Sequence, residues 1–225
     1  MKIRIKFSKM GSLKYIGHLD TMRFFQKIMK RAGIPIAYSN GMSPHQIMSF
    51  ALPLGIGDES EGEYLDIELT ESVEKNDAIN SLNNASVPGI KILSFKVLPD
   101  NALNAMASVE AADYKVFFKD KINSEIKDKF NDFITKESMF VVKKTKKNES
   151  LLDIKPYIFD YSVQEDYVFL RLKCGSVNNT KPELVIKAFC EFIGIDFNEL
   201  DYSFRRVDLL TNSDNGFISL DDVGM

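Results

Sequence analysis

The chain has 225 residues, 44% of them apolar, and a formal net charge of −3, which suits a globular protein with a substantial core. No apolar run approaches the roughly 18 to 20 residues of a membrane span, so we expect no membrane partner. Charges interrupt the first segment, MKIRIKFSK, where a secretory signal has its apolar stretch, and we therefore predict a cytoplasmic protein.

The first 98 residues alternate between strand and helix patterns. KIRIKFSK alternates basic and apolar residues as a half-buried strand does, and apolar residues at spacings of three and four predict a helix from His18 to about Ala32. Gly33 favours a left-handed helix end. Further patterns predict extended segments at 34–38, 46–54 and 64–69, a polar turn at 39–45, an acidic loop at 55–63, a helix at 72–83 and a strand at 89–98.

After a linker at 99–111 the same order of elements recurs. The patterns predict a strand at 114–118, a helix at 122–135, a strand at 139–143, the polar loop KTKKNES, a hairpin of 157–163 with 167–173, a helix at 182–193 and a strand at 200–210. We predict an α+β fold of two tandem ferredoxin-like (βαββαβ) halves, with antiparallel sheets and helices on one face. The N-terminal domain is 1–98, and the C-terminal domain is 112–225 with an extra strand.

The charges are unevenly distributed along the chain. Residues 1–50 carry nine Lys or Arg and one Asp, whereas residues 51–80 carry nine Asp or Glu and one Lys. The two segments either neutralise each other as neighbours in the fold or produce a local field that steers a charged partner to one face. The sequence leaves both interpretations open.

The outward side of the first helix carries a basic stripe made of Arg23, Lys27, Lys30 and Arg31. Each cation on such a stripe is able to contact a phosphate and release condensed counterions, which is the usual source of affinity for nucleic acids. A solvated helix face has the same composition. The stripe is therefore either a candidate RNA contact or an ordinary solvated helix face.

The turn that follows the helix offers Ser39, Asn40 and His45 as hydrogen-bonding groups. His18 stands at the helix start, where exposed amides favour anions. The predicted RNA-binding residues are His18, Arg23, Lys27, Lys30, Arg31, Ser39, Asn40 and His45. A general acid–base pair of the two histidines is an alternative, but a sequence does not show hydrogen-bond reach, so no catalytic residue is assigned and enzymatic activity stays open.

Other candidate sites are weaker. Cys174 and Cys190 lie sixteen positions apart without a CxxC, so we expect free thiols, no metal and no cofactor. GIGDESEG lacks the lysine of a P-loop. The acidic cluster of Asp58, Glu59, Glu61, Glu63 and Asp66 is expected to be solvated more often than bound to a divalent cation. A second basic run comprises Lys143, Lys144, Lys146 and Lys147.

Several motifs carry a family resemblance over residues 3–98. They are HLD with a following Met-Arg, RAGIP, YSNG, Pro-His and SFALPL. Together they resemble the radical SAM-associated domain of unknown function, a bacterial family found alone or fused behind radical SAM proteins. Gly17, Met42 and Gln46 replace a serine, an aromatic residue and a proline of the family pattern, and the missing aromatic residue bears on base stacking by this turn.

The resemblance implies a radical SAM protein as a partner, and the missing CxxxCxxC excludes this chain from being the radical enzyme itself. A more distant fold likeness is to RAMP-superfamily CRISPR RNA endoribonucleases, which also pair two ferredoxin-like folds. The leading hypothesis is an RNA-binding module for tRNA or rRNA, acting in RNA modification or processing beside a radical SAM partner. The alternatives are a protein-interaction module that docks a radical SAM enzyme and a metal-independent endoribonuclease.

Overall fold

The computed structural model describes residues 1–144, 149–175 and 179–224, and within them it has eleven strands and five α-helices. The strands are β1 (Lys2–Lys9), β2 (Met48–Phe50), β3 (Glu59–Glu68), β4 (Ile90–Val97), β5 (Ala111–Phe118), β6 (Phe140–Lys144), β7 (Glu149–Asp153), β8 (Ile158–Val163), β9 (Tyr167–Lys173), β10 (Tyr202–Ser213) and β11 (Gly216–Ser219). The helices are α1 (His18–Arg31), α2 (Lys75–Ala85), α3 (Ala105–Ser108), α4 (Ser124–Ile134) and α5 (Pro182–Ile193).

The chain forms two compact α+β units, of which the first contains residues 1–110 and 206–224 and the second contains Ala111–Arg205. Residues after Arg205 belong with the first unit, whereas the sequence prediction assigns all of 112–225 to a C-terminal domain. None of the helices in the described ranges has the length and hydropathy that a membrane crossing requires.

Helix α1 follows the sequence prediction closely. Its buried residues are Thr21, Phe25, Ile28 and Met29, at the spacing of a core-facing stripe. Gly17 is the N-cap, and no side chain caps the first turn. The helix ends because Gly33 adopts a left-handed conformation, with φ of +66°, that other residues rarely adopt.

The sheet of the first unit has an apolar face covered by α1 and α2. Strand β1 pairs antiparallel with both β3 and β4, and β2 pairs antiparallel with β3. Alternate residues of β1, namely Ile3, Ile5 and Phe7, enter a core that also contains Phe25 and Leu82 from the two helices. The two-residue period of β1 therefore places its basic residues on the opposite face.

That opposite face is a layer of paired charges. Arg4 stands opposite Asp66 in the register, and its Nε and Nη2 donate to the two carboxylate oxygens at 2.8 and 3.0 Å. Lys6 Nζ lies 3.0 Å from a carboxylate oxygen of Asp208, which also accepts from Tyr64. Desolvation by burial, with the nearby Asp208 charge, raises the pKa of Tyr64 above its ordinary range. Arg4 and Lys6 of β1 are thus neutralised inside the first unit.

The second unit combines antiparallel strands with two helices. Strand β5 pairs antiparallel with β9, β9 pairs antiparallel with β8, and the strand order is β10-β5-β9-β8. Helices α4 and α5 pack through aromatic rings, with the Phe130 and Phe189 centroids 4.8 Å apart. Strands β6 and β7 form a two-stranded ribbon.

The structure corrects several local predictions. The prediction of an acidic loop at 55–63 is wrong for the second half of this segment, because β3 begins at Glu59 and both Ser60 and Glu63 are buried. The predicted solvation of the acidic cluster is wrong for Glu63 and Asp66, which are buried and paired with arginines. Strand β7 and strand β11 have no counterpart in the sequence prediction. The basic residues Lys146 and Lys147 lie outside the described residues.

Candidate functional site

The basic stripe of α1 is exposed, and most of it is available to a ligand. Arg23 Nη1 lies 3.3 Å from Asp20 Oδ1, one turn earlier on the same helix. For Lys27, Lys30 and Arg31, no carboxylate of the described residues lies within ion-pair distance. Exposed pairs such as Arg23–Asp20 are worth little, so Arg23 is able to exchange its partner for a phosphate. The structure therefore presents four cations on one helical surface, three of them without a carboxylate.

The turn at 39–45 is closed by a reciprocal interaction of Ser39 and His45. The Ser39 N–H donates to the His45 carbonyl at 2.8 Å, and the His45 N–H donates to Ser39 Oγ at 3.1 Å. Ser39 Oγ also lies 2.8 Å from Nδ1 of the imidazole. Because Nδ1 is engaged within the turn, the exposed His45 ring has Nε2 left for a ligand. Asn40 is exposed beside Gly41, whose φ is +116°.

Gln46 joins this turn to helix α1. It is buried, and its Nε2 donates to the Gln26 carbonyl of α1 at 3.3 Å and to the Tyr38 hydroxyl at 3.4 Å. Gln26 directly precedes Lys27 and lies one helical turn before Lys30. The base of the turn is therefore attached to α1 at Gln26, next to Lys27 in the sequence. Within the described structure, Oε1 of Gln46 is buried without a hydrogen-bond partner.

His18 occupies a different place from the other candidate residues. Its ring packs edge-to-face on Phe50, with centroids 5.3 Å apart. It is eight residues before Gln26, which is about 12 Å along a helix. No hydrogen bond or ring contact found in the described ranges joins His18 to His45. The structure thus attaches the turn to α1 at Gln26, whereas His18 stands at the start of α1.

A small cleft beside His18 contains buried charges. It is lined by Lys9, His18, Phe50 and Glu63 among others, and its volume is about 20 Å³, enough for roughly one water molecule. Lys9 Nζ donates to the Ile16 carbonyl at 3.2 Å, and burial lowers the pKa of Lys9 despite the attraction of Glu63 and Asp58. Glu63 accepts from Arg206 at 2.9 and 3.1 Å. The cleft has room for about one water molecule, and Glu63 at its side is already paired with Arg206.

Sequence reasoning missed Gln46 and Gln26 as parts of the site. The two residues are 20 positions apart, and their contact is between a side-chain amide and a helix carbonyl. Neither residue type signals such a contact, so only the fold reveals it. Among the described residues, no group of three or more His, Cys, Asp or Glu is arranged to hold a metal ion.

Comparison with known proteins assigns no activity to this arrangement. A family model described as "Uncharacterized protein conserved in bacteria (DUF2344)" matches residues 2–182, a range that includes α1 and the turn. No curated protein matches the chain.

Proposed function

The chain belongs to the bacterial family DUF2344, and from the geometry of helix α1 we propose that it is an RNA-binding module. The observation that carries the proposal is the attachment of the 39–45 turn, through Gln46, to helix α1. This helix presents Lys27, Lys30 and Arg31, for which the described residues offer no carboxylate within ion-pair distance. Cations and hydrogen-bonding groups then lie side by side on one surface, which suits a phosphate backbone with polar groups nearby.

Two electrostatic features support the choice of a polyanion. Arg4 of β1 is paired with Asp66 and Glu63 is paired with Arg206, so two carboxylates of the acidic segment 51–80 are engaged inside the first unit. Lys30 and Arg31 lie in the last turn of α1, where the helix dipole stabilises positive charge on the protein itself. Lys27, Lys30 and Arg31 lie within about 6 Å of one another along the helix axis, and their combined charge attracts phosphate.

The strand order supports the further proposal of two ferredoxin-like units. In the first unit the order is β4-β1-β3-β2, and in the second it is β10-β5-β9-β8, so each places the fourth strand of a βαββαβ pattern beside the first. This order agrees with the distant likeness to RAMP-superfamily endoribonucleases, although a fold does not transfer a function. We propose tRNA or rRNA as the target and, from the family resemblance, a radical SAM protein as the partner.

The two alternative functions have less support. A protein-docking surface made of complementary acidic and basic segments loses Arg4, Asp66 and Glu63, which are buried in ion pairs. A metal-independent endoribonuclease needs His18 and His45 at one reacting group, and these residues make separate contacts, His18 with Phe50 and His45 with Ser39.

The test is filter binding of total tRNA and of rRNA fragments across a salt series. The triple variant Lys27→Ala/Lys30→Ala/Arg31→Ala is compared with Lys75→Ala/Lys91→Ala/Lys127→Ala, whose lysines are also exposed and without a described ion pair. Both variants lose three positive charges.

We expect the α1 variant to reduce the magnitude of the slope of log K against log salt by about 2 to 3, since each lost phosphate contact accounts for about 0.7 to 0.9. The control variant should keep the wild-type slope. Absence of binding by the wild type at low salt, or an equal effect of both variants, would refute the proposal.

A further inference from the structure

Three apolar side chains are exposed together at the start of α1. Tyr15 is 66% exposed, Leu19 is 60% exposed and Ile56 is 70% exposed. The Gly57 N–H donates to the Lys14 carbonyl at 2.9 Å, which attaches the loop containing Ile56 to the turn containing Tyr15. Ile56 also lies beside Gly17, since a Cβ built on that glycine would be 3.9 Å from Ile56 Cδ1. The chain therefore holds these apolar groups on one surface.

This apolar surface lies in line with the basic stripe. Leu19, Arg23, Lys27 and Lys30 follow one another at spacings of four, four and three, so they share one exposed face of α1. Leu19 is about 16 Å from Lys30 along the helix axis. A ligand lying along this face meets cations at one end and apolar groups at the other.

Tyr15 has the chemistry of a base-stacking residue. Lys14 Nζ lies 5.3 Å from the ring centroid, which places a cation beside an exposed aromatic ring. Carboxylates occur in the same region, because Asp20 pairs with Arg23 and Glu59 accepts from the Gly11 N–H of the 3-10 turn that ends at Tyr15. Tyr15 itself is an exposed ring with the ammonium of Lys14 close to it.

We propose that Tyr15, with Leu19 and Ile56, is a stacking platform for an unpaired base of the RNA whose phosphates contact α1. This inference rests on the proposed function and names its substrate class, which is RNA with a single-stranded segment, loop or end. Every nucleobase has a π-face that stacks on an aromatic ring, whereas the bases of a duplex are already stacked on one another. Aliphatic Leu19 and Ile56 extend the surface that a base covers, and Lys14 attracts the adjoining phosphate.

The test compares Tyr15→Ala and Tyr15→Phe with the wild type on two fluorescent probes, a single-stranded oligoribonucleotide of mixed sequence and the blunt duplex of that sequence. Phe159→Ala serves as the matched control, because Phe159 is an exposed aromatic residue of the second unit. Circular dichroism checks that each variant is folded.

We expect Tyr15→Ala to weaken single-strand binding about 5- to 150-fold at each salt concentration, with the salt slope unchanged, because stacking is not an ionic contact. Tyr15→Phe should restore the affinity, and duplex binding should change little. An unchanged affinity of Tyr15→Ala, an equal loss on both probes, or a protein partner lost by Tyr15→Ala while RNA binding is intact would each overturn the inference. Failure of wild-type binding to either probe would instead refute the proposed function.

Discussion

The Arg4–Asp66 pair allows the most direct test of how the first unit is held together. The Arg4 side chain is 1% exposed, and besides Asp66 it reaches the Leu103 carbonyl at 3.1 Å. Asp66 accepts from Arg4 twice and from the Ala105 N–H at 2.6 Å. The substitution Arg4→Met removes two of these three donors and leaves a buried carboxylate without a countercharge.

Removal of one partner from a buried ion pair costs about 3 to 5 kcal/mol, because the remaining charge stays desolvated. With a slope of about 2 kcal/mol per molar urea, the unfolding midpoint of the first unit should fall by about 2 M. The assay is urea unfolding followed by circular dichroism, with hydrogen exchange of β1 and β3 peptides to assign the transition to the first unit.

The double variant Arg4→Met/Asp66→Asn separates charge from packing. The introduced amide side chain retains an acceptor for the Ala105 N–H but carries no charge, so the double variant should recover at least half of the lost stability. Arg23→Met is the control, because its exposed pair with Asp20 should contribute less than about 1 kcal/mol. If Arg4→Met lowers the free energy of unfolding by no more than Arg23→Met does, the Arg4–Asp66 pair does not stabilise the first unit in the way described.

Two further predictions concern the site and the cleft. Gln46→Leu removes the hydrogen bonds to Gln26 and Tyr38. RNA affinity measured by filter binding should therefore fall, while the salt slope stays near the wild-type value. An affinity equal to that of the wild type would show that the turn needs no attachment to α1. Because burial lowers the pKa of Lys9, the unfolded chain binds more protons than the folded chain between that lowered pKa and the ordinary lysine value of about 10.4. The contribution of Lys9 to stability therefore rises with pH in this window, and the stability difference between wild type and Lys9→Met, measured by urea unfolding, should shift in favour of the wild type as pH rises. A difference that is constant with pH would contradict this prediction.

The parts of the fold that the sequence predicted correctly depend on local signals. Helix α1 is defined by Phe25, Ile28 and Met29 within one stripe and by Gly33 at its end, all within a few turns. Helix α5 has the predicted bounds, Pro182–Ile193, because a proline suited to the first turn and a left-handed Gly194 delimit an apolar stripe. The hairpin of β8 and β9 is likewise confirmed by its antiparallel pairing.

The predictions that were wrong concern residues whose partners are distant in the sequence. Glu63 reads as part of a solvated loop, yet it is a strand residue paired with Arg206, 143 positions away. No local pattern shows that an arginine so distant will compensate a buried glutamate.

The candidate site shows the same division between local and distant information. The outward direction of Lys27, Lys30 and Arg31 follows from helical spacing, and the turn at 39–45 follows from its polar residues. The grouping of His18 with the turn was an inference about space, and the structure places His18 against Phe50 instead. The attachment of Gln46 to Gln26 depends on how the turn folds back on α1, which spacing along the chain does not specify.

The return of residues 206–224 to the first unit has a consequence for synthesis and for truncation. The second unit is in effect an insertion in the sequence of the first. During synthesis, Glu63 therefore lacks Arg206 and Tyr64 lacks Asp208 until the chain has left the ribosome beyond position 208. A fragment limited to the family match at 2–182 would keep that incomplete state permanently, with the buried carboxylate of Glu63 lacking Arg206. Fragments intended to isolate helix α1 should therefore carry residues 206–224, supplied either in the same chain or as a complementing peptide.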